Sequence, residues 1–237
     1  MQSAVAAAQG SIPSHLNRVY ANRGNSVLLD LLDNRYTRVL DVGCGAGDNA
    51  ALIKARSQSC EVFGITHSSA EAAIANAHLT KCWVADVEGD VPCDLASQTF
   101  DALIFSHVLE HLRNPATVLA RFTKLLSQGG QVIVAVPNIL SWRMRLQFLR
   151  GDFQYQSEGP LDDTHLRFFT YQTADKCLLS EAADLKLTHK VGDGNVPLGV
   201  FRRHILPQKV RAQIDVWGCR HWPNLFGGQV LIRAIKE

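Results

Sequence analysis

Short apolar runs alternate along the chain with stretches of helical periodicity. Uninterrupted apolar runs predict buried strands, because a strand that is covered on both faces shows no polar alternation. The predicted strands are residues 38–42, 61–65, 82–85, 100–105, 131–136, 185–191 and 228–235. The stretches between them predict helices at 48–56, from Ser68 or Ser69 to about 77, and at 115–126, 139–150 and 171–183. This alternation is typical of an α/β fold with a mainly parallel sheet.

Residue types at the predicted boundaries support these elements. Asp48 is placed to cap the helix after the first strand, and Asn114 and Pro115 open the helix after the fourth. Gln128-Gly129-Gly130 is expected to end that helix. After the fifth strand the alternation gives way to an irregular insert at about 138–170. In open α/β sheets this edge is where ligands bind, so the insert is expected on the substrate side.

Composition bounds the class of protein. The chain has 237 residues, enough to bury the core of one domain spanning 1–237. Its net charge of +2 is too small to indicate a nucleic-acid partner. Six scattered cysteines without a Cys-x-x-Cys pair are typical of buried free thiols in a reducing compartment. The start of the chain does not resemble a signal peptide, and no apolar run is long enough to span a membrane. We therefore expect a cytoplasmic protein without integral membrane association, and the composition leaves its oligomeric state open.

A glycine-rich turn follows the first predicted strand. Asp41 is followed by Gly43, Gly45 and Gly47, a pattern that lets a ligand lie against bare backbone. The dinucleotide fingerprint would need its third glycine at position 48, where Asp48 would repel a pyrophosphate. The Gly-Lys-Ser/Thr of a P-loop is also absent. The turn therefore favours a cofactor that has a positive centre and no phosphate, and S-adenosylmethionine fits this description.

Three further motifs follow the glycine turn in order. Ser-His-Val-Leu-Glu-His-Leu (106–112) comes after the fourth strand, Pro137-Asn138 after the fifth, and Asp-x-x-His-x-Arg-Phe-Phe-Thr spans 162–170. With these motifs the chain resembles the class I S-adenosylmethionine-dependent methyltransferases, most strongly over residues 39–169. The resemblance implies a Rossmann-like, seven-stranded, mostly parallel sheet whose last strand is antiparallel.

The resemblance also implies residues that would hold the cofactor. Asp41 and the glycine turn would surround the methionine moiety. Asp86 would accept a hydrogen bond from the adenine amine, and Val87 would lie beside the ring. The backbone at Ser106 would face the cofactor's amino group.

Three further candidate cofactor contacts are Thr66, Tyr20 and Arg23. The family usually has an acid at the end of the second strand, and Thr66 stands there, as in the cyclopropane-forming branch. A hydroxyl can bond one ribose oxygen but accepts more weakly than a carboxylate, so an acid introduced at position 66 should be tolerated. Nothing else in the chain favours a lipid substrate. Tyr20 and Arg23 lie where the family's N-terminal segment closes over the cofactor, with ordinary surface as an equal alternative.

The acceptor side offers two histidines as candidate catalytic residues. Transfer of a methyl group to oxygen needs alignment and usually a base. His107 follows the fourth strand, and His165 lies in the insert beside Asp162. Asp162 and His165 give two metal ligands without a third, so no metal site is predicted. Glu110 and His111 are expected to serve packing and hydrogen bonding.

These observations favour methyl transfer to an oxygen of a small-molecule or sugar acceptor. N-methylation of a small molecule is the first alternative. A non-catalytic role is the second, because the chain also resembles the methyltransferase-fold accessory protein that supports homoserine acylation in methionine synthesis. A nucleic-acid methyltransferase is less favoured, since the Asn/Asp-Pro-Pro-Tyr/Phe motif after the fourth strand is absent.

Overall fold

A seven-stranded sheet forms the centre of the computed structural model, which describes residues 23–237. The strands are β1 (Arg38–Val42), β2 (Glu61–Thr66), β3 (Lys81–Val84), β4 (Phe100–Ser106), β5 (Leu126–Pro137), β6 (Leu185–Gly194) and β7 (Gly227–Lys236). Their order in the sheet is β3-β2-β1-β4-β5-β7-β6. The first five strands pair in parallel, and β7 is antiparallel to both β5 and β6. The predicted α/β fold with an antiparallel last strand is confirmed.

Helices connect these strands and cover the sheet. Those in the described part of the chain are α1 (Ser26–Leu29), α2 (Asp48–Arg56), α3 (Ser69–Ala75), α4 (Cys93–Ala96), α5 (Pro115–Phe122), α6 (Trp142–Leu149), α7 (Ala174–Leu178), α8 (Gly199–Ile205), α9 (Gln208–His221) and α10 (Pro223–Phe226). Short 3-10 turns occur at Leu109–His111 and Thr123–Leu125. The helix after β2 begins as predicted, because the Ser68 side chain accepts a hydrogen bond from the Glu71 amide.

The sheet buries apolar side chains on both of its faces. Leu40 and Val42 of β1 enter one core cluster, whereas Val39 enters the other. Successive residues of a strand point to opposite faces, so Asp41 shares the face of Val39. Asp41 is therefore a carboxyl group at a position that the pattern reserves for an apolar side chain, and its relative exposure is 0%.

The two ends of the insert after β5 are bonded to each other. Asn138 forms a backbone bridge with Phe169, and the Ile139 amide donates to the Phe169 carbonyl at 2.9 Å. The buried Asn138 side chain donates to the Gly227 carbonyl at 2.8 Å, at the start of β7. The insert thus leaves and rejoins the fold at the carboxyl end of β5, which is the predicted substrate edge.

Two predicted helix boundaries are wrong. Asp48 is the first residue of α2 rather than its cap, because Gly47, with φ of +86°, occupies the cap position. The helix after β4 ends at Phe122, and its Asn114 makes no side-chain capping bond. β5 begins at Leu126 instead of the predicted residue 131, because Leu126 pairs with Phe100 of β4. The glycines at 129 and 130 consequently lie within β5 instead of ending the helix.

The second half of the chain departs further from the predicted helices. α6 is shorter than predicted and buries Met144, while Leu149, on the predicted apolar face, is 84% exposed. α7 covers only part of the helix predicted at 171–183. The sequence pattern did not predict α8 or α9. Their apolar residues are largely exposed, so they lack the buried stripe that periodicity detects.

Burial of the thiols is only partly as expected. All six cysteines are free, but Cys93 and Cys177 are exposed. Within residues 23–237 no helix is long and apolar enough to cross a membrane.

Candidate functional site

The glycine turn lies at the carboxyl end of β1. The amides of Gly43 and Cys44 both donate to the Ile65 carbonyl of β2, at 2.8 and 3.0 Å. Gly43, Gly45 and Gly47 have φ of +76°, +52° and +86°, a region that glycine adopts without a steric penalty. These bonds and dihedral angles hold the turn close against β2.

The three glycines of the turn have different surroundings. A Cβ at Gly43 would lie 2.0 Å from Val108, and one at Gly47 would lie 3.0 Å from the Ala75 Cα. Among the described residues, a Cβ at Gly45 would meet only the Glu71 Oε1, at 3.9 Å. The outer glycines therefore allow close packing of protein against protein, whereas Gly45 borders open space that a ligand could fill.

Asp41 lies buried beneath this turn. Its Oδ2 accepts a hydrogen bond from the Asn49 side chain at 3.3 Å, but its Oδ1 has no hydrogen-bond partner within residues 23–237. Desolvation raises the pKa of Asp41 from 3.8 to about 7. A buried carboxylate oxygen without a donor is costly, so the fold provides a site that a positively charged ligand group would satisfy.

Thr66 is at the predicted position, but its hydroxyl already has a partner. Thr66 donates to Oε2 of Glu71 at 2.7 Å and accepts a bond from the Ser68 amide at 3.3 Å. Glu71 is 3% exposed, and its other oxygen, Oε1, faces the glycine turn. A buried acid therefore does stand next to the end of β2, although the chain supplies it from α3. Sequence reasoning missed Glu71, which the capping-box spacing Ser68-x-x-Glu71 could have brought to notice.

The residues predicted for the adenine side lie beyond β3. Asp86 is exposed, and its Oδ1 accepts a hydrogen bond from the Glu88 amide at 2.9 Å. Val87 is partly buried against the main core cluster. Ser106 is the last residue of β4 and is partly exposed at the same edge of the sheet. The structure thus brings these residues to the edge that holds the glycine turn.

The segment before α1 also reaches this edge. The Asn25 amide donates to Oδ1 of Asn49 at 2.9 Å, and its side chain donates to Gln229 at 2.9 Å. Asn49 in turn bonds to Asp41. Arg23 is exposed, and Tyr20 lies outside the described residues.

His107 adopts a strained backbone conformation at the end of β4. Its φ is +54°, a region that costs a non-glycine residue on the order of 1–3 kcal/mol. Nδ1 lies 3.2 Å from Oε1 of Glu110, and Nε2 lies 2.9 Å from Oε1 of Gln229. The Gln229 amide nitrogen donates to Asp193, so its oxygen faces the histidine. Both ring nitrogens therefore face acceptors, which favours a doubly protonated ring.

The charge state of His107 follows from these contacts. Desolvation lowers its pKa, but the hydrogen bond and negative charge of Glu110 and the bond to Gln229 together produce a net rise. A doubly protonated ring has no lone pair with which to remove a proton. The arrangement suits a hydrogen-bonding or positioning role for this candidate catalytic residue better than removal of a proton from the acceptor.

His165 lies in the insert and contacts the 3-10 turn after β4. Its Nδ1 is 3.2 Å from the Pro160 carbonyl, and its ring lies edge-on to His111 with 4.7 Å between centroids. Ligand atoms of Glu110, His111 and His165 lie within 4.8 Å of one another. The structure therefore supplies the partners that the Asp162-x-x-His165 motif lacked in the sequence.

Electrostatics differ among the charged groups of this cluster. Desolvation lowers the pKa of His111, an effect that Glu110 and Asp162 only partly oppose. Desolvation raises the pKa of Asp162, but hydrogen bonds from Thr164 outweigh it, so the net shift is downward. His111 is thus favoured as the neutral ring and Asp162 as the carboxylate.

The aromatic residues near the C-terminal end of α9 lie at the surface rather than in the core. Trp217 and Trp222 are 53% and 49% exposed, and His221 contacts both rings. They form a surface cluster on the helices that precede β7.

Comparison with known proteins identifies the class. The sequence profile of a family described as "Methyltransferase domain" matches residues 14–190. The chain belongs to this family of class I S-adenosylmethionine-dependent methyltransferases.

Individual relatives are more distant. The chain is 34% identical over 102 residues to trans-aconitate 2-methyltransferase of Methylobacterium radiotolerans, covering 43% of this chain and 38% of that protein. It is 26% identical over 165 residues to the ubiquinone biosynthesis O-methyltransferase of Aeromonas salmonicida, covering 68% of each. A 37.1 kDa protein of a Streptomyces fradiae transposon is 35% identical over 117 residues, covering 48% of this chain and 34% of its own length. The chain thus matches little more than a third of two of these relatives.

Solved structures share the fold at low sequence identity. The plantazolicin methyltransferase BpumL, solved in complex with S-adenosylhomocysteine, superposes with a TM-score of 0.56 at 17% identity, covering 90% of this chain and 80% of that one. The putative methyltransferase solved with the Haloferax volcanii Trm112 activator gives 0.57 at 15% identity, covering 89% and 86%. At these identities the likeness establishes the fold alone.

The cofactor of the family fits the residues at this edge. Among residues 23–237, Gly45 borders open space and the buried Oδ1 of Asp41 has no hydrogen-bond partner. Glu71 offers a second buried carboxylate on the side of β2. A ligand with a positive centre and hydroxyl groups would meet matching charge and hydrogen-bond acceptors here.

Proposed function

We propose that this protein transfers a methyl group from S-adenosylmethionine to an oxygen of a small-molecule or sugar acceptor. The observation that carries the proposal is the space that the described residues leave open at Gly45, which the buried carboxylate of Glu71 borders, together with the buried carboxyl group of Asp41 at the end of the strand that leads into the turn. When bound, the cofactor would supply a methyl group on a sulfonium, which is already a good electrophile. The protein's own residues then have to align the two reactants and exclude water.

The named residues would divide this work. Asp41 and the glycine turn would hold the methionine part, and Glu71, supported by Thr66, would accept bonds from the ribose hydroxyls. Asp86 and Val87 would hold the adenine. On the acceptor side, His165 keeps Nδ1 at the Pro160 carbonyl, which leaves Nε2 to accept a proton or bind a ligand.

The preference for oxygen rests on the relatives. Two of the similar proteins are named as methyltransferases of trans-aconitate and of ubiquinone biosynthesis, the latter an O-methyltransferase. Both names point to small oxygen-bearing acceptors, which a site at an open sheet edge can admit. N-methylation is the alternative that an acceptor screen would reveal.

Cofactor binding can be tested with a matched pair of glycine variants. Gly45 and Gly129 have φ of +52° and +72°, and Gly129 has no atom near its Cβ position. Gly45→Val and Gly129→Val therefore carry similar backbone strain, but only the first fills the proposed cofactor space. We expect calorimetry to show that Gly45→Val loses binding of S-adenosylhomocysteine, while Gly129→Val keeps it. Equal affinity in both folded variants would refute the proposed site.

The reaction itself is tested by product formation. Purified protein is incubated with S-adenosylmethionine and a panel of hydroxyl, carboxylate and amine acceptors that includes trans-aconitate, and S-adenosylhomocysteine release is measured. Release that depends on an oxygen acceptor supports the proposal, and release only with amines favours N-methylation. Tight cofactor binding without release across the panel would favour the non-catalytic role.

A further inference from the structure

The loop after β4 and the insert after β5 bring together side chains that suit a metal ion. Glu110 and His111 come from the first segment and His165 from the second, and their ligand atoms lie within 4.8 Å of one another. Two backbone bonds hold the segments in place, since the amides of Leu166 and Arg167 donate to the Glu110 carbonyl at 2.8 and 3.0 Å. The cluster is therefore built into the fold at two adjacent points.

Glu110 provides the strongest indication that something binds here. Its side chain is 1% exposed, and Oε1 is 3.2 Å from the His107 Nδ1. In the described part of the chain, however, its buried Oε2 has no hydrogen-bond partner. Leaving a buried carboxylate oxygen unpaired costs on the order of 1–3 kcal/mol or more. A cation would satisfy this oxygen.

Hydrogen-bond directions determine which nitrogen each histidine leaves available. The Thr164 hydroxyl donates its only proton to Oδ1 of Asp162 at 2.6 Å. It must therefore accept from Nδ1 of His111, which lies 3.0 Å away. The Pro160 carbonyl can only accept, so Nδ1 of His165 donates to it. In both rings the proton is on Nδ1, and the lone pair is on Nε2.

This pattern is typical of metal-binding histidines. Such histidines usually donate the second ring N–H to a carbonyl or carboxylate, which fixes the tautomer and the orientation of the ring. Here the Pro160 carbonyl accepts this second N–H from His165. The Thr164 hydroxyl accepts it from His111 and in turn donates to Asp162. The chain thus supplies both a candidate ligand set and the outer contacts that orient it.

We propose that Glu110, His111 and His165 bind a divalent transition-metal ion, with zinc as the best match to two imidazoles and one carboxylate. Imidazole ligands favour ions such as zinc over magnesium, which prefers oxygen. Ligands around tetrahedral zinc lie roughly 3.4 Å apart at the usual bond lengths. The widest separation of 4.8 Å would have to shrink by small side-chain rotations. Three protein ligands leave a fourth position for water or an oxygen ligand.

The proposal changes what His165 can do. An ion on Nε2 occupies the lone pair that a general base would use, so these two roles exclude each other. The proposal does not rest on the methyltransferase activity, because zinc binding is measured without cofactor or acceptor.

The test measures zinc affinity of the full chain after removal of metal with a chelator. Zinc chloride is titrated against the protein in competition with a chromophoric chelator. We expect one tight site per chain, weakened at least about 100-fold by His165→Ala and by Glu110→Gln. Thr164→Val should weaken it about 10- to 100-fold, because it removes only the outer contact to His111. Circular dichroism and urea unfolding establish that each variant is folded.

Two controls separate this site from other zinc ligands. His78→Ala removes an exposed histidine of α3's C-terminal flank and should leave the tight site intact. Cys82→Ser breaks the thiol pair in which Cys82 lies 3.7 Å from Cys44, and should also leave it intact. The proposal is overturned if the wild-type chain has no tight site, if His165→Ala binds as well as wild type, or if Cys82→Ser alone removes binding. If Glu110→Gln does not fold, His165→Ala and Thr164→Val decide the outcome.

Discussion

Replacing Asp41 by asparagine should stabilise the protein at alkaline pH and change how its stability depends on pH. Burial raises the pKa of this carboxyl from 3.8 to about 7, so between these values the folded chain keeps a proton that the unfolded chain releases. The stabilisation from that proton is complete below pH 3.8 and is lost as the pH rises through 7. Asparagine has a similar shape and does not ionise, so the variant lacks this loss.

The magnitude follows from the shift in pKa. From pH 5 to the folded pKa near 7 the difference spans about two units, and each unit corresponds to about 1.36 kcal/mol. The unfolding free energy of Asp41→Asn relative to wild type should therefore rise by about 3 kcal/mol between pH 5 and pH 8. For a chain of this size that corresponds to roughly 6–12 °C in melting temperature.

Urea unfolding at pH 5, 6.5 and 8 measures this difference. Asp152→Asn, which removes an exposed carboxylate of the insert, is the control and should keep the pH dependence of the wild type. The same Asp41→Asn protein should bind S-adenosylhomocysteine more weakly, because the ammonium group of the ligand loses its acidic partner. Parallel stability curves for wild type and Asp41→Asn would refute the reasoning, since the buried carboxyl would then have no raised pKa.

Four further substitutions test the assignment of individual contacts. Glu71→Gln should weaken binding of S-adenosylhomocysteine about 10- to 100-fold by removing a charged acceptor. Thr66→Asp should lower the unfolding free energy, because it would place a second carboxylate within reach of Glu71. The sequence alone had predicted that an acid at position 66 would be tolerated. Wild-type behaviour of both Glu71→Gln and Thr66→Asp would exclude Glu71 from the site. Asp86→Ala should cost about 1–3 kcal/mol of cofactor affinity in calorimetry, whereas Asp90→Ala, an exposed acid of the same loop, should cost little; equal losses would contradict a specific adenine contact. If His165 acts as the base, His165→Ala should lower turnover about 10²- to 10⁴-fold with cofactor affinity unchanged, and His78→Ala serves as its control. Retained turnover would exclude the role of base and leave His165 as the metal ligand proposed above.

The sheet could be predicted from the sequence because its signals are local. Each of the five parallel strands contains a short, mainly apolar run, and the structure places a strand at each of these runs. Helix ends were less predictable, since they depend on contacts outside the helix. Pairing of Leu126 with Phe100 starts β5 early and leaves Gly129 inside a strand. α8 and α9 escaped prediction because their apolar residues do not form a buried stripe.

In the candidate site, too, local sequence motifs could be predicted and contacts between distant segments could not. The glycine turn is a contiguous motif, so its position at the end of β1 could be predicted. The cluster of Glu110, His111 and His165 could not be predicted, because the fold joins segments far apart in sequence: His165 lies 54 residues after His111. Glu71 was missed for a different reason, since the expected acid was sought in β2 and the chain provides it from α3.

The destabilising features of this fold, unpaired buried carboxylate oxygens and a strained backbone, lie at one edge of the sheet. Asp41 and Glu110 each bury a carboxylate oxygen that the described residues leave without a hydrogen-bond partner. His107, three residues before Glu110 at the end of β4, has a positive φ that residues other than glycine rarely adopt. Unpaired buried charge and backbone strain lower stability, and natural chains retain such features mainly where function needs them. Asp41 lies under the glycine turn and Glu110 faces the insert, so we assign the first to the proposed cofactor site and the second to the proposed metal site. Substitutions at the two positions should therefore separate in their effects, with Asp41→Asn changing cofactor affinity and Glu110→Gln changing zinc affinity.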